Sequence, residues 1–202
     1  MQSLKNIVIN GAMILAMLFG LTLSATSADL SFEEVKALAE QGNALGQNVL
    51  GSYYENGKGV EQDYRKAFYW YQKSANQGNS TGQFNVGYSY AYGKGVRQDY
   101  RKAFYWYQKS ANQGNSTGQY SIGYLYAYGK GVQQDYAKAF EWLNKAASQG
   151  NSTAQGHIGV MYEYGYGVLQ NKTIAKEWYG RGCDNGSQIG CDQYRILNEQ
   201  GY

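Results

Sequence analysis

The sequence has no proline, one histidine and two cysteines in 202 residues. Without proline, chain reversals rest on glycine, of which there are 27. One histidine and two cysteines fall short of an ordinary zinc ligand set. No metal and no cofactor is expected. Neither charge sign is in excess, since 18 Lys and Arg stand against 15 Asp and Glu. Such a balance speaks against nucleic acid or a membrane surface as partner. Long apolar runs are scarce as well. One runs from Gly11 to Leu23, too short to span a bilayer.

That run has a context. It follows Met1-Gln-Ser-Leu-Lys5 and leads into Ser24-Ala-Thr-Ser-Ala28. A basic start, a short apolar stretch and a small-residue exit read as a secretory signal over 1–28, cleaved after Ala28. Cleavage after Ser27 is the rival, and an uncleaved anchor the alternative. The chain after it carries 17 basic and 15 acidic residues, a net +2. Periplasm or secretion is the expected location, with no membrane span after cleavage.

What the sequence has in abundance is repetition. Gln62 to Gln83 is written again, letter for letter, from Gln98 to Gln119. A period of 36 residues marks an array of one supersecondary unit. Trp70, Trp106, Trp142 and Trp178 keep the step, as do Gly57/Gly59, Gly93/Gly95, Gly129/Gly131 and Gly165/Gly167. The chain also holds 22 tyrosines, so its interior must accommodate rings whose hydroxyls need partners.

One copy serves for all. The spacing of Gly82, Val86, Gly87 and Tyr90 predicts a helix over Ser80–Tyr92. Glycine in a helix interior costs about 1 kcal/mol relative to alanine. Its return at Gly51, Gly87, Gly123 and Gly159 therefore implies a neighbouring helix close against bare backbone. Gly93-Lys-Gly-Val96 reads as a turn with Val96 plugging the helix pair, not as a phosphate loop around Lys94. Asp99 is expected to cap a second helix, Tyr100 to Gln113, as Asp63, Asp135 and Asn171 do in their copies. Tyr100, Ala103, Phe104, Trp106, Tyr107, Ser110 and Ala111 form its inner face, with Trp106 between repeats. Arg101, Tyr105, Gln108, Lys109 and Asn112 face out. The acceptor-like Asn79-Ser-Thr, Asn115-Ser-Thr, Asn151-Ser-Thr and Asn171-Lys-Thr triplets are explained in three cases by a short polar turn. Upstream, Ser31-Phe-Glu-Glu34 is a capping box that starts a helix at Phe32 and ends it at Gly42.

Gly82-Gln-Phe-Asn-Val-Gly-Tyr-Ser-Tyr-Ala-Tyr-Gly-Lys-Gly-Val96, Asp99-Tyr-Arg-Lys-Ala-Phe-Tyr-Trp106 and Ser110-Ala-Asn-Gln-Gly114 together resemble the Sel1-like repeat. The resemblance covers Ala44 to the end. It implies an all-α fold, a right-handed superhelical solenoid of tetratricopeptide-like α/α pairs that acts as an interaction scaffold. The organisation expected is a capping helix over 29–43, four repeats over 44–186 and a capping helix over 187–202.

The tail, Gly182-Cys-Asp-Asn-Gly-Ser-Gln-Ile-Gly-Cys191-Asp, resembles the cysteine-bearing repeats of the Helicobacter cysteine-rich proteins. An isolated pair in an exported chain reads as a disulfide between Cys183 and Cys191; two free thiols is the alternative if export is wrong. Elsewhere the slots of Cys183 hold Ala39, Ala75, Ala111 and Ala147, and those of Cys191 hold Gln47, Gln83, Gln119 and Gln155. A staple confined to the end suits a terminal repeat, which has a neighbour on one side only. The same relatives imply a second function, a cell-wall or β-lactam-directed protein with penicillin-binding or weak β-lactamase activity. The serine enzymes of that chemistry need Ser-x-x-Lys. The nearest match here is Thr173-Ile-Ala-Lys176, so the chain reads as no enzyme.

The candidate binding face lies on the first helices. By the resemblance it lines the concave surface, and it carries Phe84, Asn85, Tyr88 and Tyr92, then Tyr120, Tyr124 and Tyr128, then His157 and Tyr164. The partner expected is a protein or peptide segment, or a cell-wall glycan, bound by a monomer. Repeat-to-repeat packing is the competing role for each ring, and a variable surface residue is the expectation for His157.

Overall fold

The computed structural model describes residues 30–202. The expected signal and its cleavage point lie outside the described residues. Within them the chain is all-helical, with ten helices and no strand. They are α1 (Phe32–Glu40), α2 (Ala44–Asn56), α3 (Tyr64–Asn76), α4 (Ser80–Tyr92), α5 (Tyr100–Asn112), α6 (Ser116–Tyr128), α7 (Tyr136–Ser148), α8 (Ser152–Tyr164), α9 (Lys172–Asp184) and α10 (Gln188–Glu199). Four pairs, α2–α3, α4–α5, α6–α7 and α8–α9, make units one to four. No described helix is long and apolar enough to cross a membrane.

The helix ends follow from side-chain chemistry. Asp63, Asp99, Asp135 and Asn171 accept from first-turn backbone N–H groups of α3, α5, α7 and α9. Asn43, Asn79, Asn115 and Asn151 do so for α2, α4, α6 and α8. Every asparagine of the four acceptor-like triplets is thus a helix cap. The second helix expected to reach Gln113 stops one residue earlier, with Gln113 as its C-cap.

Each first helix ends at a left-handed glycine, Gly93 in α4 with φ 70°. The glycine two residues on makes the joint between units. A Cβ on Gly95 would lie 1.9 Å from the carbonyl oxygen of Tyr64, and one on Gly131 or Gly167 would lie 2.4 or 2.6 Å from the backbone of Tyr100 or Tyr136. The loops of units two to four therefore sit on the first turn of the preceding unit's second helix, and a methyl group there would collide with main chain.

Within a unit, the bare backbone of the first helix receives a side chain from the second. A Cβ on Gly51, Gly87 or Gly159 would meet the ring of Tyr71, Tyr107 or Tyr179 at 2.5, 2.6 and 2.5 Å, and one on Gly123 would meet Leu143 at 2.7 Å. Ala103, Tyr107, Ser110 and Ala111 are buried, while Tyr100, Phe104 and Trp106 are half-buried. Trp106 packs against the cluster formed by Ala67, Tyr71 and Ala75 of α3 with Val86 of α4, so it sits where two units meet, as expected. Trp70, Trp142 and Trp178 bridge in the same way. Val132 and Val168 pack on the core. Val96 is half-buried and lines a hollow with Tyr90 of α4 and Lys102 of α5.

A polar chain runs beside this core. Buried Gln47, Gln83, Gln119 and Gln155 donate to the carbonyls of Ala39, Ala75, Ala111 and Ala147. Their amide oxygens accept from Gln77, Gln113, Gln149 and Asn185. Buried amides carry a desolvation cost unless so paired. In the last position the donor and acceptor residues become Cys191 and Cys183, joined by a disulfide with Cα atoms 4.5 Å apart.

Candidate functional site

The first helices place positions i, i+1, i+4 and i+8 along one side. In α4 these are Phe84, Asn85, Tyr88 and Tyr92, and in α6 Tyr120, Ser121, Tyr124 and Tyr128. Rings one turn apart touch, with Tyr88–Tyr92 and Tyr124–Tyr128 centroids each 4.5 Å apart. Tyr92, Tyr128 and Tyr164 are 62%, 56% and 58% exposed. Phe84, Tyr88, Tyr120 and Tyr124 are half-buried.

The expected face divides into two parts. Its inner end is spent on packing. Phe84 stacks on Tyr107 at 5.6 Å, and Asn85 donates to the Asn48 side chain at 2.8 Å. His157 is no loose surface residue. Its ring lies edge-on to Tyr120 at 5.3 Å, and its Nδ1 is 2.9 Å from the carbonyl of Thr153. Burial there pulls its pKa below the ordinary histidine value. Tyr164 stands apart from the other tyrosines of the face and stacks on Tyr166, which stacks on Tyr136.

The outer part opens into a cleft of about 160 Å³ between units two and three. Tyr92, Tyr120 and Tyr124 line it, with Ala91, Tyr100, Tyr107, Ser121, Leu125 and Lys130. The Lys130 ammonium donates to the Tyr124 hydroxyl at 3.1 Å and lies over the rings of Tyr100 and Tyr124. That hydrogen bond raises the lysine pKa, so Lys130 is a cation at neutral pH. Burial raises the hydroxyl pKa of Tyr92 and Tyr107 and pushes that of Tyr120 up to about 12. All three are protonated donors at neutral pH. Among the described residues no group of three or more side chains could hold a metal.

Sequence reasoning missed Ala91, Tyr100, Tyr107, Leu125 and Lys130. The two rings belong to the inner face of α5, and a wheel does not show that a phenol reaches past its helix. Lys130 sits in the Gly-x-Gly turn, which explained it fully. The available signal was the break in one column, where Glu55 becomes Ala91 while Lys94 persists as Lys130.

Comparison with known families resolves the architecture. The Sel1 repeat matches at residues 44–79, 80–115, 116–151 and 152–187. The chain belongs to the Sel1 repeat family. Such repeats generally mediate protein–protein interaction and are typically scaffolds without enzyme activity. Among solved Sel1 repeat structures, a protective antigen of uropathogenic Escherichia coli is 34% identical with a TM-score of 0.80. The match covers 86% of this chain but only 37% of the antigen. A Sel1 repeat protein from Oxalobacter formigenes is 29% identical over 84% of this chain and 77% of its own, with a TM-score of 0.72. Helicobacter pylori cysteine-rich protein B shares the fold, at 23% identity and a TM-score of 0.52 over 65% of this chain and 94% of its own. Comparison with curated protein sequences found no match.

On this Sel1 scaffold the closest approach to a serine-enzyme motif, Thr173 to Lys176, falls on the first turns of α9. Lys176 donates to the carbonyl of Tyr202 and lies 5.6 Å from the ring centroid of Tyr194. Its ammonium is engaged with the C-terminal residues.

Proposed function

We propose that the chain is an exported Sel1 repeat scaffold that holds a peptide segment of a partner protein against the tyrosine-bearing sides of α4 and α6. The observation that carries this reading is the cleft between those helices, bordered by the outward Tyr92 and adjoined by Tyr128. Tyrosine offers rigid contact area at low entropic cost together with a hydrogen-bonding tip, and it is enriched among residues that dominate binding energy. Export is supported by the signal-like start and by a disulfide, which persists in oxidising compartments.

The test is selection of binding peptides from a displayed library, followed by affinity measurement with the Tyr92→Ala/Tyr128→Ala variant. Both rings are more than half exposed and each touches one neighbouring ring, so their loss leaves helicity unchanged and lowers the melting temperature only slightly. Affinity for the selected peptides is expected to fall by about tenfold or more, the scale of a truncated interface anchor. Unaltered affinity would remove the tyrosine surface from the account.

A further inference from the structure

The array contains a template for its own binding site. In unit one, Glu55 lies between two donors. The Tyr71 hydroxyl donates to Oε2 at 2.6 Å, and the Lys94 ammonium donates to Oε1 at 2.8 Å. Tyr71 follows Glu55 by 16 residues and Lys94 follows it by 39. One period on, the same three positions are Ala91, Tyr107 and Lys130. Both donors are retained, while the acceptor is reduced to a methyl group. All three residues line the cleft between units two and three.

The other registers sharpen the contrast. A further period on, Ala127 and Leu143 replace the acceptor and one donor, and the lysine gives way to Tyr166, an uncharged ring stacked against Tyr136 and Tyr164. In unit four Glu163 returns, and the Tyr179 hydroxyl donates to it at 2.7 Å. A lysine and a tyrosine without their own carboxylate thus coincide at one register, and the cleft opens there.

We propose that this cleft receives the side-chain carboxylate of a glutamate carried by the partner peptide, with Lys130 and Tyr107 donating as Lys94 and Tyr71 do to Glu55. The proposal rests on the reading of the tyrosine sides as the binding surface. An ammonium carries three donors, so Lys130 can keep its bond to Tyr124 and still meet a carboxylate. Charge-assisted hydrogen bonds are the stronger kind, more so where walls reduce solvent screening. Ser121 lines the cleft as well, its hydroxyl donating to the Thr117 carbonyl at 2.8 Å. Glutamate is long enough to reach past the exposed Tyr92 at the rim, which contacts the peptide around it.

The experiment is an amide NMR titration of the full chain with N-acetyl-glutamate methylamide, against its glutamine counterpart as neutral isostere. The glutamate probe is expected to shift Ala91, Ser121 and Lys130. The glutamine probe, and the glutamate probe on Lys130→Met, should each bind about tenfold more weakly. A second arm uses Ala91→Glu, which supplies the carboxylate from within. It should abolish the probe response and raise the melting temperature, while Ala127→Glu, with neither a lysine nor a buried phenol at its register, raises nothing. Equal binding of the two probes, or a lowered melting temperature for Ala91→Glu with the probe response intact, overturns the assignment. If selected peptides still depend on Tyr92 and Tyr128 while the two probes bind alike, the tyrosine surface stands and the carboxylate site alone falls.

Discussion

The ring of Tyr107 lies directly on the backbone of Gly87, so close that a Cβ there would fall 2.6 Å from ring carbon Cδ1. The ring has little room to yield, because Phe84 stacks on it. Gly87→Ala gains about 1 kcal/mol of helix propensity but overpacks the interface at a cost of about 1–3 kcal/mol. The tightness places the outcome on the costly side, a net loss of about 1–2 kcal/mol in urea unfolding. Gly123→Ala meets Leu143, a flexible side chain, and should lose less. A Gly87→Ala protein as stable as the parent would refute this packing argument.

The disulfide stands where other units have a glutamine-to-carbonyl hydrogen bond, and that equivalence can be measured. On the loop-entropy account, closing a loop this short is worth roughly 2–3 kcal/mol. Reduction should therefore loosen α10 first, read as faster amide exchange there than in α4 to α7. Cys183→Ala/Cys191→Gln restores the residues of the other units. It should be about 1 kcal/mol more stable than Cys183→Ala/Cys191→Ala, the net worth of one hydrogen bond. Equal stability of the two variants would show that the amide cannot replace the staple.

Alkali should unfold the chain through its buried phenols. Burial raises the pKa of Tyr71, Tyr107 and Tyr179 above the ordinary 10.0 and carries Tyr120 to about 12. Above pH 10 the unfolded chain gives up protons that the folded chain keeps. Stability is full below that pH and falls as pH rises. Lys94 acts in the same sense: its bond to Glu55 raises its pKa above 10.5, and the contribution fades as pH climbs through the raised value. Ultraviolet titration should show exposed tyrosines ionising first and the buried class only with loss of helical circular dichroism. His157 works in reverse. Burial lowers its pKa below 6.5, so stability declines as pH drops beneath that value, and His157→Gln should flatten the decline.

Much of the fold was legible because each unit repeats its reasons. The glycine column of Gly51, Gly87, Gly123 and Gly159 announced a close approach, and the side chains of Tyr71, Tyr107, Leu143 and Tyr179 supply it. The capping residues fixed the helix starts, since a cap acts within three residues of itself. The cleft was only half legible. Tyr92, Tyr120 and Tyr124 follow from helix periodicity. Lys130 and Tyr107 do not, because they arrive from the loop of one unit and the second helix of another. Phe84 meets Tyr107 from the second helix of its own unit, and His157 meets Tyr120 from the unit before, and neither neighbour lies on the wheel of the helix concerned.

Gln62 to Gln83 and Gln98 to Gln119 are identical, so an unequal crossover between them would splice the chain without a scar. Losing one length that way deletes Ala91 and leaves Glu55 facing Tyr71 and Lys130, a self-satisfied trio with no opening. Gaining one duplicates Ala91 between intact donors and yields two adjoining clefts. Valency in this scaffold is thus a matter of copy number, adjustable in whole steps without a single point mutation.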